Sequence, residues 1–445
     1  MKFCGSLIEC SVFKRSVAVY SPIRPCFAPF FLGAALCSSG AIALTLVQAE
    51  QELLAANSDI ALAQAGVESA AANVTVAGQL PNPTLSVQST QYSPIAGLGA
   101  GRPTDKALDT IVGISILIER GDKATLRREA AMEQLSGARH DLRDMRRQQR
   151  LALHQAYYDL KLAGEKQSLA LETRDLAAQA LAAADKRVAA GDLAAVDRYR
   201  LSVEALRVAN DVTSAESDVR QATLALAVLL GRKREGADAP RSELRTDDLT
   251  ANDPWPEVAP EAGATDPVSA RADVAAAEAR VAAASAGRAV ARSLRARDVT
   301  VGAQVERVPA NTAGVTFGVN VSIPLYARYG FEGEIARAEA DYTTALLTRQ
   351  KIVNQAEADT AKARVTLDGA RRRLVSFEAD IVPAAKKALD AIEFAYARGA
   401  AGLTDALDAR RTWRATQVDL AAARADHAKA LAAWRAATEW ESVRP

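Results

Sequence analysis

The sequence predicts a mixed α+β membrane protein in which four short β-strands are set beside two very long helical hairpins. Three observations carry this reading. The segment Arg187-Val-Ala-Ala-Gly191-Asp-Leu-Ala-Ala-Val-Asp197 recurs as Tyr396-Ala-Arg-Gly399-Ala-Ala-Gly-Leu-Thr-Asp405, with glycines and aspartates both 208 positions apart. The alternating run Val112-Gly113-Ile-Ser115-Ile-Leu-Ile118 is echoed 205 positions later by Phe317-Gly318-Val-Asn320-Val-Ser-Ile323. No proline interrupts the helical pattern from Asp122 to Ala190, which implies a rod on the order of 100 Å long. The chain is therefore an internal two-fold repeat of strand pair, long helix, glycine turn and returning helix.

Composition narrows the classes. The net charge of the 445 residues is +1, so nothing electrostatic points to nucleic acid. Aromatics make up 5% while alanine occurs in runs such as Ala177-Ala-Gln-Ala-Leu-Ala-Ala-Ala184, which suits long helices packed through small side chains.

Residues 1–43 read as a secretory signal peptide. Lys2, Lys14, Arg15 and Arg24 precede the apolar stretch Phe27–Leu36, and Ala41-Ile-Ala43 supplies a small-x-small cleavage site. The charged leader is long, so a later translation start remains an open alternative. All four cysteines (Cys4, Cys10, Cys26, Cys37) precede that cut, so the mature chain is expected to have no thiol. Lipid attachment at Cys37 is the lesser alternative, because Leu36 stands where a lipoprotein site prefers a small residue.

The first repeat covers 44–231. A short amphipathic helix spans Leu44–Asn57, and Ser58-Asp59 can cap a second helix running to about Gln79. Pro81-Asn-Pro83 ends it, and a strand pair follows within 84–118, joined by a glycine- and proline-rich loop. The first helical hairpin spans about 122–230. Heptad-like spacings (Leu153 and Leu160; Val196 and Val203; Tyr199 and Leu206) make it a coiled coil. A polar, proline-rich connector occupies 232–265.

The second repeat covers 266–440, with a helix to about Ala296, strands within 298–325, a hairpin at about 333–440, and a tail at 441–445. Its strands alternate cleanly. Val299, Val301, Ala303 and Val305 face one way while Thr300, Gly302, Gln304 and Glu306 face the other. Apolar-out, polar-in strands of this length suit a membrane β-barrel; a sheet half-buried against helices starts as the commoner explanation, but the cleaved signal and the long helices directly beyond both strand pairs tilt against it. Pro383, inside the second long helix, predicts a kink or break.

Four strands cannot close a barrel, since about eight are needed to enclose an interior. An open edge in lipid leaves backbone groups unpaired at several kcal/mol each. Other chains must complete the sheet.

The residues then resemble the TolC-type outer-membrane efflux family, and within it the subunits paired with cobalt–zinc–cadmium-type resistance pumps. The resemblance rests on Ala77-Gly-Gln-Leu-Pro-Asn-Pro-Thr-Leu85, Ile118-Glu-Arg-Gly-Asp-Lys123, Val321-Ser-Ile-Pro-Leu-Tyr326 and the two Gly-x5-Asp turns. It implies a homotrimer with one twelve-stranded barrel in the outer membrane of a Gram-negative bacterium, continued by a helical coiled-coil tunnel across the periplasm. It also implies two partners, a periplasmic adaptor protein and an inner-membrane proton-driven pump. Asp405 and Asp408, with Asp197 and Tyr396, map onto the tunnel mouth. Arg187, Gly191, Leu193, Arg398, Gly399 and Leu403 map onto the adaptor-contacting tips. One departure is Ala401, which stands where a drug-exporting member carries a basic partner for the mouth.

Structural alternatives stand beside these roles. Gly191 and Gly399 suit a tight helix reversal whatever the function. Asp197 and Asp405 can equally be caps of the returning helices, a role that fits Asp408 less well. No catalytic constellation and no cofactor is expected: His140 and His154 are fourteen residues apart, about 21 Å along a helix, and cannot share a metal. The expected function is a passive exit duct, for divalent heavy metals first. Drugs, solvents or secreted polypeptides are the alternative cargo, and a non-pore secreted coiled-coil scaffold is the alternative from another class.

Overall fold

Alternation fixes the sheet. In the computed structural model, which describes residues 44–90, 109–232, 249–251, 253–258, 268–307 and 314–438, four strands form one antiparallel meander. They are β1 (Thr84–Thr90), β2 (Asp109–Ile118), β3 (Val299–Arg307) and β4 (Val315–Ser322), hydrogen-bonded in that order. Cross-strand pairs put like with like. Val87↔Val112, Val112↔Val305 and Val305↔Phe317 run across one face, and Gly113↔Gln304 and Gln304↔Gly318 across the other. The apolar face is uncovered: Leu85, Val87, Phe317 and Val319 are 69–83% exposed. The outer edges of β1 and β4 have no strand partner among the described residues. The expected signal peptide, the β1–β2 loop, most of the connector and the C-terminal tail lie outside the described residues.

Thr45 opens α1 (Leu46–Ala56) with a capping box, its Oγ1 accepting from Gln48 N–H while Gln48 Oε1 accepts from Thr45 N–H. The cap of α2 (Ser58–Gly78) is Asn57, one residue before the expected Ser58-Asp59. Its amide oxygen accepts from Asp59 and Ile60 N–H at 3.0 and 3.1 Å, and its Nδ2 donates to Leu229 O at 2.8 Å. Asn57 caps one helix through its amide oxygen and holds the end of another through its amide nitrogen.

The first hairpin is α3 (Lys123–Ala189, 67 residues) and α4 (Ala195–Leu229). The second half begins with a 3-10 turn (Val268–Ala270) and α5 (Ala272–Ser293). Its hairpin is α6 (Glu332–Ser376), a π turn (Phe377–Ile381), α7 (Val382–Ala397) and α8 (Leu403–Thr438). The break expected at Pro383 takes the form of that π turn. Proline has no N–H to donate, so the ladder loosens just upstream and Pro383 itself sits in the first turn of α7. Both long helices start one residue after a non-glycine residue in the left-handed region, Asp122 (φ 55°) and Phe331 (φ 61°).

The core gathers where α3 meets α1, α2, α4 and α8. Leu53, Leu153, Tyr157, Leu226 and Leu230 are fully buried there. A described piece of the connector is strapped onto it: Asp253 Oδ2 lies 2.8 Å from Tyr157 Oη and accepts from Leu46 N–H at 2.6 Å. Trp255 stacks on Tyr158 and donates to Glu165 at 2.7 Å. Leu153 and Leu160 are buried as their spacing implies. Val196, Tyr199, Val203 and Leu206 are not; they are 51–70% exposed, and α4 packs instead through Leu201, Val208, Val212 and Ala215. Two heptad rows share this helix, and the chain's own partner covers only one.

His427 on α8 is 2% exposed and its Nδ1 has no partner among the described residues. Burial lowers its pKa, the Arg371 charge adds to that, and Glu378 opposes it. The folded protein thus holds His427 neutral, while the unfolded chain takes up a proton near pH 6.5. Its contribution is fully present above that pH and is lost as pH falls below it, at no more than about 1.4 kcal/mol per pH unit. Thermal unfolding of His427→Gln should therefore depend less on pH than wild type between about pH 7 and 5; equal slopes would remove this histidine from the acid response.

Candidate functional site at the helix reversals

Both reversals are built the same way. At the first, Gly191 (φ +82°) follows α3; its N–H donates to Val188 O at 3.0 Å and Asp192 N–H to Arg187 O at 2.8 Å. At the second, Gly399 (φ +75°) follows α7, with Gly399 N–H to Tyr396 O at 3.0 Å and Ala400 N–H to Ala395 O at 2.9 Å. These paired bonds satisfy the last carbonyls of each helix and need a left-handed residue, which is why glycine stands at both. Nothing lies within 4 Å of where a Cβ would be at either glycine, so both tips are open.

The two groups of site residues separate accordingly. Arg187, Gly191, Arg398 and Gly399 are exposed at the reversals, and Leu193 and Leu403 are half-buried beside them. Arg398 lies over the Phe394 ring at 3.9 Å. Tyr396 is half-buried one turn above Gly399. Asp197 lies in the first turn of α4 and accepts from Arg200 at 3.3 Å, but it caps nothing; Ala194 is the N-cap and has no side-chain bond. Asp405, in contrast, is a capping residue: its Oδ2 accepts from Gly402 N–H at 3.1 Å, reaching back from the first turn of α8.

Asp408 belongs to a different contact. Arg411 donates to Asp408 at 3.3 Å and to Glu204 on α4 at 2.5 Å. Two turns of α4 farther on, Arg414 donates to Asp211 at 2.7 Å. These pairs tie α8 of the second hairpin to α4 of the first. Sequence reasoning left Arg411 and Arg414 out; their only local signal is the three-residue step from Asp408 to Arg411. Most partners here are well exposed, so each pair contributes roughly 0.2–1 kcal/mol and their joint effect is on position.

The profile of the family described as "Outer membrane efflux protein" matches residues 49–232 and 268–438. The chain belongs to that family. Members of the family lie in the outer membrane, and the chain is accordingly an outer-membrane protein. It is 25% identical over 388 residues to the cobalt-zinc-cadmium resistance protein CzcC of Cupriavidus metallidurans, covering 83% of this chain and 84% of that one. Two solved structures share its fold. A membrane protein from Pseudomonas aeruginosa superposes with a TM-score of 0.72 at 20% identity, over 88% of this chain and 93% of that one. CusC, whose structures describe transmembrane channel formation, gives 0.70 at 17% identity, over 88% and 91%. The family is one of efflux channels, and the non-pore scaffold reading falls with it.

Proposed function

We propose that this chain is the passive exit duct of a tripartite efflux system, conducting divalent heavy-metal cations outward from an inner-membrane proton-driven pump through a periplasmic adaptor. The observation that carries the channel reading is the four-stranded meander with an uncovered apolar face and two open edges. In lipid those edges must pair, and three copies joined head to tail, β4 to the next β1, make a barrel of twelve strands. The order of elements supports this closure. The first half of the internal duplication supplies one flank (β1, α2, α4) and the second the other (β4, α6, α7). The exposed row Val196, Tyr199, Val203 and Leu206 on α4 then meets the neighbouring copy.

The cargo class rests on the relative named for cobalt, zinc and cadmium resistance. Removing the gene should sensitise cells to those cations more than to hydrophobic drugs. Greater drug sensitivity would reassign the duct to drug or solvent export.

In a threefold ring Asp405 and Asp408 recur three times each around the mouth, with Asp197 and Tyr396 beside them, while the glycine tips (Arg187, Gly191, Leu193; Arg398, Gly399, Leu403) meet the adaptor. Such a ring of carboxylates attracts cations. Multivalent cations added from the periplasmic side of a planar bilayer should block conductance. Asp405→Ala with Asp408→Ala should weaken that block by about tenfold or more, equivalent to about 1.4 kcal/mol. Trimers should survive, because only the capping bond to Gly402 and the exposed Arg411–Asp408 pair are lost. An unchanged block would leave these aspartates as structural groups alone.

A further inference from the structure

At the foot of the sheet the two faces are charged very differently. On the polar face both acids are consumed: Glu119 accepts two bonds from Arg127 at 2.8 and 2.9 Å, and Asp298 accepts Lys123 Nζ at 2.8 Å. Asp298 also accepts Arg120 N–H at 3.0 Å, which fixes the backbone between β2 and α3. The apolar face ends in the opposite way. Its last pair is Ile118↔Val299. Continued two positions beyond the strand ends, the same register and parity would set Arg120 opposite Arg297 on the apolar side, roughly 7 Å below that pair.

Both arginines are exposed, and neither forms an ion pair among the described residues. At the start of α6, Glu332 accepts Gly330 N–H and Glu334 bonds the Tyr329 hydroxyl. Arg297 instead lies over the Tyr326 ring at 5.8 Å. Two like charges on neighbouring strands repel, and an adjacent carboxylate would be the ordinary remedy. A bound anion would relieve the same repulsion. Planar guanidinium forks suit a phosphate, and a position just beneath a lipid-facing band is where lipid phosphates lie. The segment after β4 that holds Tyr326 also carries Leu325, 78% exposed, and Tyr329, 55% exposed, the apolar and amphipathic surface an acyl chain and glycerol backbone require.

We propose that Arg120 and Arg297 bind the headgroup phosphate of an anionic phospholipid in the periplasm-facing leaflet. The site rests on the membrane-barrel reading, and it repeats once per chain around the barrel. It would set the depth of the barrel by charge, where the apolar band alone permits sliding.

The test uses the full-length trimer in neutral detergent. Added phosphatidylglycerol should remain bound through gel filtration and raise the temperature at which trimers dissociate, while phosphatidylcholine does so less. Glycerol 3-phosphate, which has the anion without acyl chains, should have little effect. Arg120→Gln with Arg297→Gln should weaken phosphatidylglycerol retention about tenfold or more. The Arg→Lys pair should keep part of it, single Arg297→Gln should lie between, and Arg337→Gln, on an exposed stretch of α6, should match wild type. Trimers of the double Gln variant that hold phosphatidylglycerol as well as wild type would overturn the proposal and leave the channel intact. So would glycerol 3-phosphate equal to the lipid, which would mean a soluble-anion site. A wild-type chain that stays monomeric and takes up no lipid would overturn the barrel reading together with this one.

Discussion

Val319→Arg should prevent assembly in the outer membrane, whereas Asn320→Arg, one residue along the same strand, should be tolerated. Val319 is 80% exposed on the apolar face of β4, opposite Ala303. In water an arginine at so open a position would change stability by no more than about 0.5 kcal/mol. Facing lipid near mid-depth it costs about 2–4 kcal/mol in every chain of the barrel. Asn320 lies on the polar face, opposite Gly302, where a charged side chain is turned away from lipid. Heat-modifiable trimers in outer-membrane fractions provide the measurement. Equal yields of the two variants would mean that the exposed apolar face does not touch lipid.

Gly231→Val should destabilise the first hairpin more than Gly191→Val, which should only weaken a tip. Both glycines have positive φ (65° and 82°), so a side chain at either is strained by about 1–2 kcal/mol. Their surroundings differ. A Cβ at Gly231 would lie 2.1 Å from Ala56 O and 2.8 Å from its carbonyl carbon, backbone atoms that cannot turn aside. Overpacking of this kind adds about 1–3 kcal/mol, at the edge of the core containing Leu53 and Leu230. Chemical denaturation of the two variants should differ by about that amount. Matching midpoints would show that the contact with Ala56 relaxes freely.

The sequence made the strands and rods legible because each carries a period. Valine alternation placed β3 and β4 to within a residue or two, and an unbroken helical pattern placed α3. What it hid was any choice between equivalents. On α4 the rows through Val196 and through Leu201 have the same spacing, and only the fold shows which one α3 covers. Ser58, Asp59 and Asn57 can all cap a helix; the Leu229 carbonyl, 172 residues away, decides among them. At the site, the glycine turns were legible through their φ requirement, and the Gly402–Asp405 bond through the back-reach of a first-turn acid. The Arg411–Glu204 contact spans 207 residues and depends on which hairpins lie side by side, which no local pattern records.

The five-residue π turn at Phe377–Ile381 has a consequence for symmetry. A duplicated chain invites the picture of interchangeable halves, six equivalent hairpins around one axis. One added residue in a helical turn rotates everything beyond it by about 100°. The unbroken α3 has no such turn, although both rods end in the same glycine reversal. The two hairpins of one chain are therefore not interchangeable, and an assembly of three such chains would have threefold and not sixfold symmetry.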